Sequence, residues 1–267
     1  MVRRWWVAVL ALGLAQAWAA PGDPFPDMAR AYWVERDGQV LWQRAADTPL
    51  PMASLTKLLT LLLVVESGVR GDRPVTITHG AAAETGTRLR LQAGERYAAQ
   101  DLLAAAMLMS ANDACRALAD AVEPRAPRFA QRLNQRARAL GLRHSHFDNA
   151  CGHHARTHQA TVRDLALLAH AVLRVPELAE LARTGEASFQ SLDGRHRHTV
   201  HNSNALIGRY PGAVGLKTGY TPQAGPCLIA VAERGGHQVM LVLLHARDRW
   251  WNATDVMDLA FVHALGT

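Results

Sequence analysis

A serine and a lysine three positions apart are the strongest candidates for chemistry in this 267-residue chain. They lie in the string Ser54-Leu55-Thr56-Lys57. Residues at this spacing share one face of a helix, so the lysine amine can reach the serine hydroxyl. An unprotonated lysine can remove the hydroxyl proton and make the serine a nucleophile. This requires burial or a nearby positive charge, since both lower the pKa of lysine. The apolar run 58–65 predicts the burial.

Lysine usage in the chain favours this chemical interpretation. Taken alone, the pair is more often a helix cap followed by a solvated side chain. The chain has 29 Lys and Arg residues, and only Lys57 and Lys217 are lysine. Arginine stays protonated, whereas a lysine amine can accept a proton. If the two lysines were placed at random among the 29 basic positions, they would fall at 57 and 217 in roughly one of four hundred arrangements, and the difference in proton acceptance gives this placement a cause. The pattern therefore indicates a requirement for an amine at these two positions.

A second motif, Ser110-Ala111-Asn112, interrupts a predicted helical stretch after an apolar segment. A turn at this point would reach into a cleft. The Ser110 hydroxyl could then pass a proton between Lys57 and a leaving amine. The Asn112 amide could hold Lys57 and a substrate amide. The alternative is an ordinary helix boundary.

A third motif, Lys217-Thr218-Gly219, ends a predicted strand. A strand edge can pair with an extended peptide, and glycine lets a ligand approach the backbone. Lys217 and Thr218 could bind a terminal carboxylate. The backbone N–H groups of Ser54 and Tyr220 are candidates for an oxyanion hole. The alternative is a simple hairpin end.

The elements that must position these motifs are strands at both ends of the chain with helices between them. Asp37-Gly38 and Gly235-Gly236 predict hairpin turns. Strands from both ends can share one antiparallel sheet, which predicts an α+β fold with a mainly helical lobe, roughly residues 70–180, inserted in a sheet lobe. The cleft between the lobes is the expected site. The predicted strands are 31–34, 40–42, 213–218, 226–231 and 238–244, with a hairpin over 186–201, and the predicted helices are 54–67, 101–122, 129–140, 161–173 and 252–265.

The N-terminal residues have the composition of a secretory signal peptide. Arg3 and Arg4 precede the apolar stretch 5–18, and small residues at Ala17 and Ala19 predict cleavage after Ala19. The apolar stretch is shorter than the roughly 20 residues that a membrane-spanning helix needs, so a stable membrane anchor is not expected. The predicted mature chain, 20–267, is a single catalytic domain that is exported to the periplasm or the extracellular space.

Charge and cysteine content narrow the classes of partner and leave the thiol chemistry open. The net charge of +6 comes from scattered arginines, without the basic stripe that predicts a nucleic-acid partner. The three cysteines are Cys115, Cys151 and Cys227. An exported chain with three cysteines permits one disulfide and leaves at least one free thiol. The favoured interpretation is that all three are small buried apolar residues.

The order and surroundings of the three motifs resemble the penicillin-binding serine D,D-peptidases, specifically the low-molecular-weight D-alanyl-D-alanine carboxypeptidases. The resemblance covers roughly 28–265. Ala111 stands where the family usually has glycine, and Asn202-Ser203-Asn204 stands near the place of an Asn-Thr-Asn string. The matching segments are 53–57, 101–103, 110–114, 161–166, 215–221 and 224–225.

This resemblance implies a β-lactamase/transpeptidase-like fold and a serine D,D-peptidase that acts on peptidoglycan stem peptides. Ser54 would form an acyl-enzyme with the penultimate D-alanine, and water would hydrolyse the ester. β-Lactams would acylate Ser54 and leave slowly. The resemblance implies no cofactor and no metal. The short chain is similar to the soluble carboxypeptidases and endopeptidases of the family, and the choice between these activities stays open.

Three other functions compete with this one. A β-lactamase of class A would need a Glu-x-x-x-Asn string, and the nearest match, 130–134, begins with alanine. A metalloprotein is suggested by 13 histidines, which cluster in 144–146, 153–158 and 196–201; without a His-Glu-x-x-His string, surface histidines are the favoured interpretation. The third alternative is a catalytically inactive wall-binding protein that retains the fold.

Overall fold

The structure, a computed structural model, describes residues 23–263. The predicted signal peptide, 1–19, lies outside the described residues, as does the end of the helix predicted to reach residue 265. No helix within 23–263 combines the length and the apolar composition that a bilayer-crossing segment requires.

Each predicted strand and helix has a counterpart in the same order along the chain, and the helices His79–Ala82 and Pro176–Arg183 are additional. The strands are β1 (Ala29–Arg36), β2 (Gln39–Arg44), β3 (Leu50–Pro51), β4 (Pro74–Thr76), β5 (Arg96–Ala98), β6 (Gln159–Ala160), β7 (Glu186–Gln190), β8 (Arg197–His201), β9 (Ala213–Thr221), β10 (Gly225–Arg234) and β11 (His237–Ala246). The helices are α1 (Lys57–Glu66), α2 (His79–Ala82), α3 (Ala99–Leu108), α4 (Asn112–Val122), α5 (Ala126–Ala139), α6 (Val162–Leu173), α7 (Pro176–Arg183) and α8 (Arg249–Val262). A 3₁₀ turn (Ala53–Thr56) precedes α1.

The main sheet joins the two ends of the chain. Its strand order is β2-β1-β11-β10-β9, and every neighbouring pair is antiparallel. Asp37 and Gly38 make the β1–β2 turn with φ of 53° and 80°, as expected for a tight hairpin. The α+β prediction is therefore confirmed, with β9, the strand of the third motif, at one edge of the sheet.

Side chains that alternate in direction along the strands divide the core into two layers, one on each face of the sheet. On β10, Leu228 and Ala230 belong to the cluster that packs under α8. Ile229 and Val231 point to the other face and join the larger cluster with α1 and the remaining helices. Successive side chains of a strand point to opposite faces, so a sheet covered on both sides has almost continuous apolar strands. Strand β9 pairs with β10 and packs against α7 and the 3₁₀ turn before α1.

Helix α1 is the centre of the larger layer. All residues from Lys57 to Val65 are buried. A helix that is apolar around its whole circumference is a core helix, and α1 packs against α3, α4, α5 and α6. The predicted burial of Lys57 is therefore present. The helical segment begins at Ala53, close to the predicted start near Ser54, but its first turn, which contains Ser54, is a 3₁₀ turn, and α-helical geometry begins at Lys57.

The second motif divides a long helical stretch into two helices. The sequence predicts helix over 101–122 with a polar interruption, and the structure has α3 and α4 separated at Ser110. Ser110 has a φ of 67°, in the left-handed region, which ends α3. The turn is present where the interruption predicts it.

Two helix boundaries differ from the sequence pattern for simple reasons. Pro176 follows the end of α6, where a proline is typical, and it also begins α7, because the missing N–H of proline costs nothing in the first helical turn. Helix α8 begins at Arg249, three residues before the predicted start. The Asp248 carboxylate caps it by accepting hydrogen bonds from the N–H groups of Trp250 and Trp251.

The cysteines are not three equivalent buried residues. Cys115 and Cys151 form a disulfide with a Cα–Cα distance of 6.0 Å, and Cys227 is free and buried. All three cysteines are buried, as the sequence interpretation expects, but the first two form the one disulfide that the cysteine count permits rather than standing as separate apolar residues. Nothing in a separation of 36 residues shows that α4 and the loop after Phe147 lie in contact.

Candidate active site

The Lys57 amine lies at the centre of the site, with three oxygen atoms around it. Its Nζ is 3.1 Å from Ser54 Oγ, 2.7 Å from Asn112 Oδ1 and 2.6 Å from the carbonyl oxygen of Cys151. Lys57 is fully buried, whereas Ser54 is partly exposed. The amine is thus shielded from water, and the hydroxyl beside it can still be reached by a ligand.

The surroundings of Lys57 favour the uncharged amine. Burial is the main cause that places its pKa well below the ordinary value of lysine. The positive charge of Lys217 lowers the pKa further, and the negative charge of Glu84 acts in the opposite direction. An uncharged amine has two N–H bonds and one lone pair. When the N–H groups donate to Asn112 and Cys151, the lone pair is left for the Ser54 hydroxyl.

The turn that carries Ser54 is held by close backbone contacts. Ala53 has a φ of 48°, which alanine rarely adopts. A Cβ atom on Gly152 would overlap the Ala53 carbonyl and lie 2.9 Å from Ser54 Cα. A Cβ atom on Gly219 would lie 3.1 Å from Ser54 N. Two glycines therefore let two separate chain segments approach the Ser54 backbone.

A buried histidine supports the same turn. Asp148 N–H donates to His158 Nδ1 at 2.9 Å, so the ring proton lies on Nε2, which is 2.7 Å from Thr56 Oγ1. The Thr56 hydroxyl donates in turn to the Ala53 carbonyl at 2.7 Å. His158 is 2% exposed, and burial lowers its pKa to about 4. The surface-histidine interpretation is therefore wrong for this residue.

The second motif meets Lys57 through one of its two polar residues. Besides holding Lys57, Asn112 donates from its amide nitrogen to the Thr85 carbonyl, which fixes the orientation of the side chain. Ser110 Oγ is buried and has no hydrogen-bond partner within 23–263. An unpaired buried hydroxyl is unfavourable in a resting protein. It is therefore a candidate group for contact with a ligand or a water molecule.

The third motif forms the opposite side of the site. Lys217 is 1% exposed, and burial, followed by the nearby charge of Arg249, lowers its pKa to about 7. Thr218 Oγ1 is 2.8 Å from Ser203 Oγ. The Gly219 carbonyl accepts a hydrogen bond from Arg249 at 2.9 Å. Tyr220, next along β9, is 63% exposed.

The structure brings together most residues that the sequence singles out and adds three others. Ser54, Lys57 and Asn112 are joined by direct contacts, and Lys217 acts electrostatically on Lys57. Sequence reasoning missed His158, Arg249 and the Cys151 carbonyl. A backbone carbonyl has no residue-type signature, and both side chains lie far from the motifs along the chain.

Six of the other twelve histidines pair with carboxylates. His153 Nε2 lies 2.6 Å from Glu84 Oε2, and His196 Nε2 lies 3.2 Å from Glu95 Oε1. Within the described residues, His, Cys, Asp and Glu side chains do not gather in groups of three or more that could hold a metal ion.

Comparison with known families identifies the chain. A family model described as D-alanyl-D-alanine carboxypeptidase matches residues 29–248. The match contains all three motifs. The chain belongs to the D-alanyl-D-alanine carboxypeptidase family. The resemblance based on the motifs is thereby confirmed, as is the peptidase class that it implies.

Individual members of the carboxypeptidase family differ in how much of their length the chain covers. The D-alanyl-D-alanine carboxypeptidase DacF of Bacillus subtilis (strain 168) is 32% identical over 240 residues, which are 86% of this chain and 61% of that protein. The D-alanyl-D-alanine endopeptidase of Pseudomonas aeruginosa is 29% identical over 230 residues, 84% of this chain and 73% of that protein. The chain thus spans less than two thirds of the Bacillus relative.

A solved structure supports the fold assignment. The Streptomyces K15 DD-transpeptidase superposes with a TM-score of 0.83 at 30% identity, covering 89% of this chain and 98% of that one. Together with the five-stranded antiparallel sheet, this confirms the predicted transpeptidase/β-lactamase-like fold.

Proposed function

We propose that the protein is an exported serine D,D-peptidase that cleaves D-alanyl-D-alanine-type peptides of peptidoglycan. The observation that carries the proposal is the geometry of Lys57, a fully buried amine 3.1 Å from the hydroxyl of a partly exposed serine. A buried lysine with a lowered pKa beside a hydroxyl is suited to act as a general base.

Acylation follows from this geometry. Ser54 Oγ attacks the carbonyl carbon of the penultimate D-alanine while its proton moves to Lys57 Nζ. The backbone N–H groups of Ser54 and Tyr220 stabilise the oxyanion that forms. The peptide C–N bond then breaks, and the leaving amine takes a proton that passes from Lys57 through Ser110. The Ser110 hydroxyl has no hydrogen-bond partner within 23–263, Lys57 included, so it is available to accept and donate a proton once a ligand is bound.

The leaving residue carries a free carboxylate, which Lys217 and Thr218 bind. A buried cation with a hydroxyl beside it favours a carboxylate over a neutral group. Hydrolysis of the acyl-enzyme by water completes the reaction. We also propose that 20–267 act as a single catalytic domain, since the nucleophile, the base and the carboxylate site come from the 3₁₀ turn, α1 and β9.

Two further expectations belong to this proposal. β-Lactams acylate Ser54 and leave slowly, and the enzyme acts in the periplasm or outside the cell after removal of residues 1–19. The intramolecular disulfide supports an oxidising compartment, because disulfides persist mainly in exported proteins. The enzyme needs no cofactor, as Lys57 itself provides the proton acceptor.

The class A β-lactamase alternative receives no support from the segment that most resembles its motif. Asn134 donates to the carbonyls of Ala130 and Phe147 and accepts a hydrogen bond from the Phe147 N–H. These bonds hold α5 against the following loop. Residue 130 has no carboxylate to activate a water molecule, so slow deacylation is expected.

Labelling with a fluorescent penicillin tests the proposal. The purified protein is expected to become labelled with one penicillin per chain, and Ser54→Ala is expected to remove the label. A second assay separates the two activities with a D-Ala-D-Ala-terminated peptide and a cross-linked muropeptide, measuring released D-alanine and cleaved cross-links. A folded wild-type chain that takes no label and cleaves neither substrate would leave the inactive wall-binding alternative.

A further inference from the structure

Lys57 is held by a short loop that also touches the nucleophile turn. This loop, residues 149–153, is called the Asn149 loop. The Cys151 carbonyl accepts a hydrogen bond from Lys57, and the Ala150 carbonyl accepts one from Thr60 at 2.6 Å. Lys57 and Thr60 are one helical turn apart on α1, so one face of α1 donates to two successive carbonyls. The position of the Cys151 carbonyl therefore decides where one N–H bond of Lys57 points.

The second N–H bond of Lys57 depends on α4. Its acceptor, Asn112 Oδ1, belongs to the first residue of that helix. Cys115 lies three residues further along α4, on the same face as Asn112. The disulfide thus joins the helix that carries one acceptor to the residue that provides the other. Both of its cysteines are buried, with exposures of 0% and 3%.

We propose that the Cys115–Cys151 disulfide is a positioning element for the general base, because it locks together the two acceptors that direct the lone pair of Lys57 toward Ser54. This inference rests on the proposed function. The two acceptors come from segments 39 positions apart in the chain, and no other disulfide joins them between residues 23 and 263. Free movement of either acceptor would allow the amine to rotate, and small misplacements of a catalytic group reduce rates by large factors.

A disulfide that only stabilises the fold would have different consequences. It would change the unfolding temperature and leave the folded site unaltered. A positioning disulfide also affects the protonation of Lys57, whose nearby charged groups are Lys217 and Glu84. Loosening the Asn149 loop admits water to the amine and weakens the effect of burial. The pH at which Lys57 loses its proton then rises. In a plot of acylation rate against pH, the rise on the acidic side, called the acidic limb, therefore moves to higher pH.

The test compares acylation by fluorescent penicillin as a function of pH in variants of the full chain. All carry Cys227→Ala, so that no free thiol can exchange with the disulfide. The main variant is Cys115→Ser with Cys151→Ser. We expect acylation of the folded variant to fall roughly ten- to a hundredfold, with the acidic limb at higher pH. The control is Val256→Ala, a core truncation under α8 on the far face of the sheet, which lowers stability without reaching the site.

A slower rate with a shifted limb in the main variant, and an unshifted limb in the control, supports the inference. An unshifted limb in the folded main variant overturns it, even when its unfolding temperature is lower. If the parent with Cys227→Ala and the wild-type chain both take no label, the proposed function fails instead, and the two failures are distinguishable.

A second variant, Asn149→Ala, replaces the main variant in this test if the double cysteine substitution prevents folding. Asn149 Oδ1 accepts hydrogen bonds from the N–H groups of Gly152 and His153 at 2.8 and 3.0 Å. Asn149→Ala loosens the same loop while the disulfide stays intact. The inference expects a smaller shift of the acidic limb in the same direction, and an unchanged limb in this variant counts against it.

Discussion

Gly152 lies so close to Ala53 that a side chain at position 152 would occupy the space of the Ala53 carbonyl. This contact presses the Asn149 loop against the nucleophile turn. Gly152 also has a φ of 89°, which favours glycine for a second reason. The requirement for glycine is therefore both steric and conformational, and these two effects can be separated by a matched substitution elsewhere.

Gly152→Ala is expected to reduce acylation of Ser54 by at least about a hundredfold, because the turn must move to accept the new Cβ atom. The clash also destabilises the fold by about 2–4 kcal/mol, in the range of other overpacked or strained sites. Penicillin acylation rates and urea unfolding measure the two effects.

The matched control is Gly141→Ala. Gly141 has a φ of 84°, and no atom lies within 4 Å of the place that a Cβ atom would take. Gly141→Ala is expected to have the same conformational cost in stability as Gly152→Ala, about 1–2 kcal/mol, without a steric clash. Equal losses of acylation in both variants would show that backbone conformation, rather than contact with Ala53, explains the requirement.

Lys57→Arg tests the role of the amine as a base. Arginine keeps a positive charge and cannot accept the Ser54 proton near neutral pH. Acylation is expected to fall by about 10²–10⁴, the usual contribution of a general base. The fluorescent-penicillin labelling rate measures the loss. Arg30→Lys, the reverse exchange at an exposed position, is expected to leave the rate unchanged. Wild-type labelling by Lys57→Arg would require a different base.

His158→Ala is expected to lower the free energy of unfolding by about 2–4 kcal/mol, because it leaves a cavity and removes the partners of Asp148 N–H and Thr56 Oγ1. Acylation is expected to fall as well, since Thr56 no longer holds the Ala53 carbonyl firmly. His158→Gln can place an N–H near Thr56, so it is expected to restore acylation better than His158→Asn. Equal rates in the Gln and Asn variants would contradict this link to the nucleophile turn.

The lowered pKa of His158 also predicts how stability depends on pH. The folded state keeps the ring neutral down to about pH 4, whereas the unfolded chain takes up a proton near pH 6.5. The unfolded state therefore binds more protons between these values, and the free energy of unfolding falls as the pH falls through this window. His158→Gln is expected to remove that part of the slope, which urea unfolding at several pH values measures.

The sequence predicts the side-chain part of the site well and the backbone part poorly. Helical spacing brings Lys57 to Ser54, although the nucleophile lies in a 3₁₀ turn rather than in the helix. The polar interruption draws attention to Asn112, whose side chain contacts Lys57. The Cys151 carbonyl and His158 escape such reasoning, because their positions depend on how a loop about a hundred residues from Ser54 packs against it.

The pKa of Lys217, lowered to about 7, predicts a basic limb in the reaction with carboxylate-bearing substrates. Lys217 is charged below this value and loses its charge as the pH rises through it. Binding of the terminal carboxylate then weakens, so kcat/KM for a D-Ala-D-Ala-terminated peptide is expected to fall above about pH 7. The pH profile of kcat/KM for released D-alanine measures this limb.

Lys217→Arg provides the decisive comparison, because arginine stays charged over the whole range. Its kcat/KM is expected to be lower near pH 7, since the larger side chain displaces the carboxylate, and to lack the basic limb. A peptide with an amidated C-terminus has no carboxylate for Lys217 to bind and is expected to show no such limb with the wild-type enzyme. If Lys217→Arg retains the limb with the acidic peptide, another group titrates there, and the proposed carboxylate contact of Lys217 is wrong.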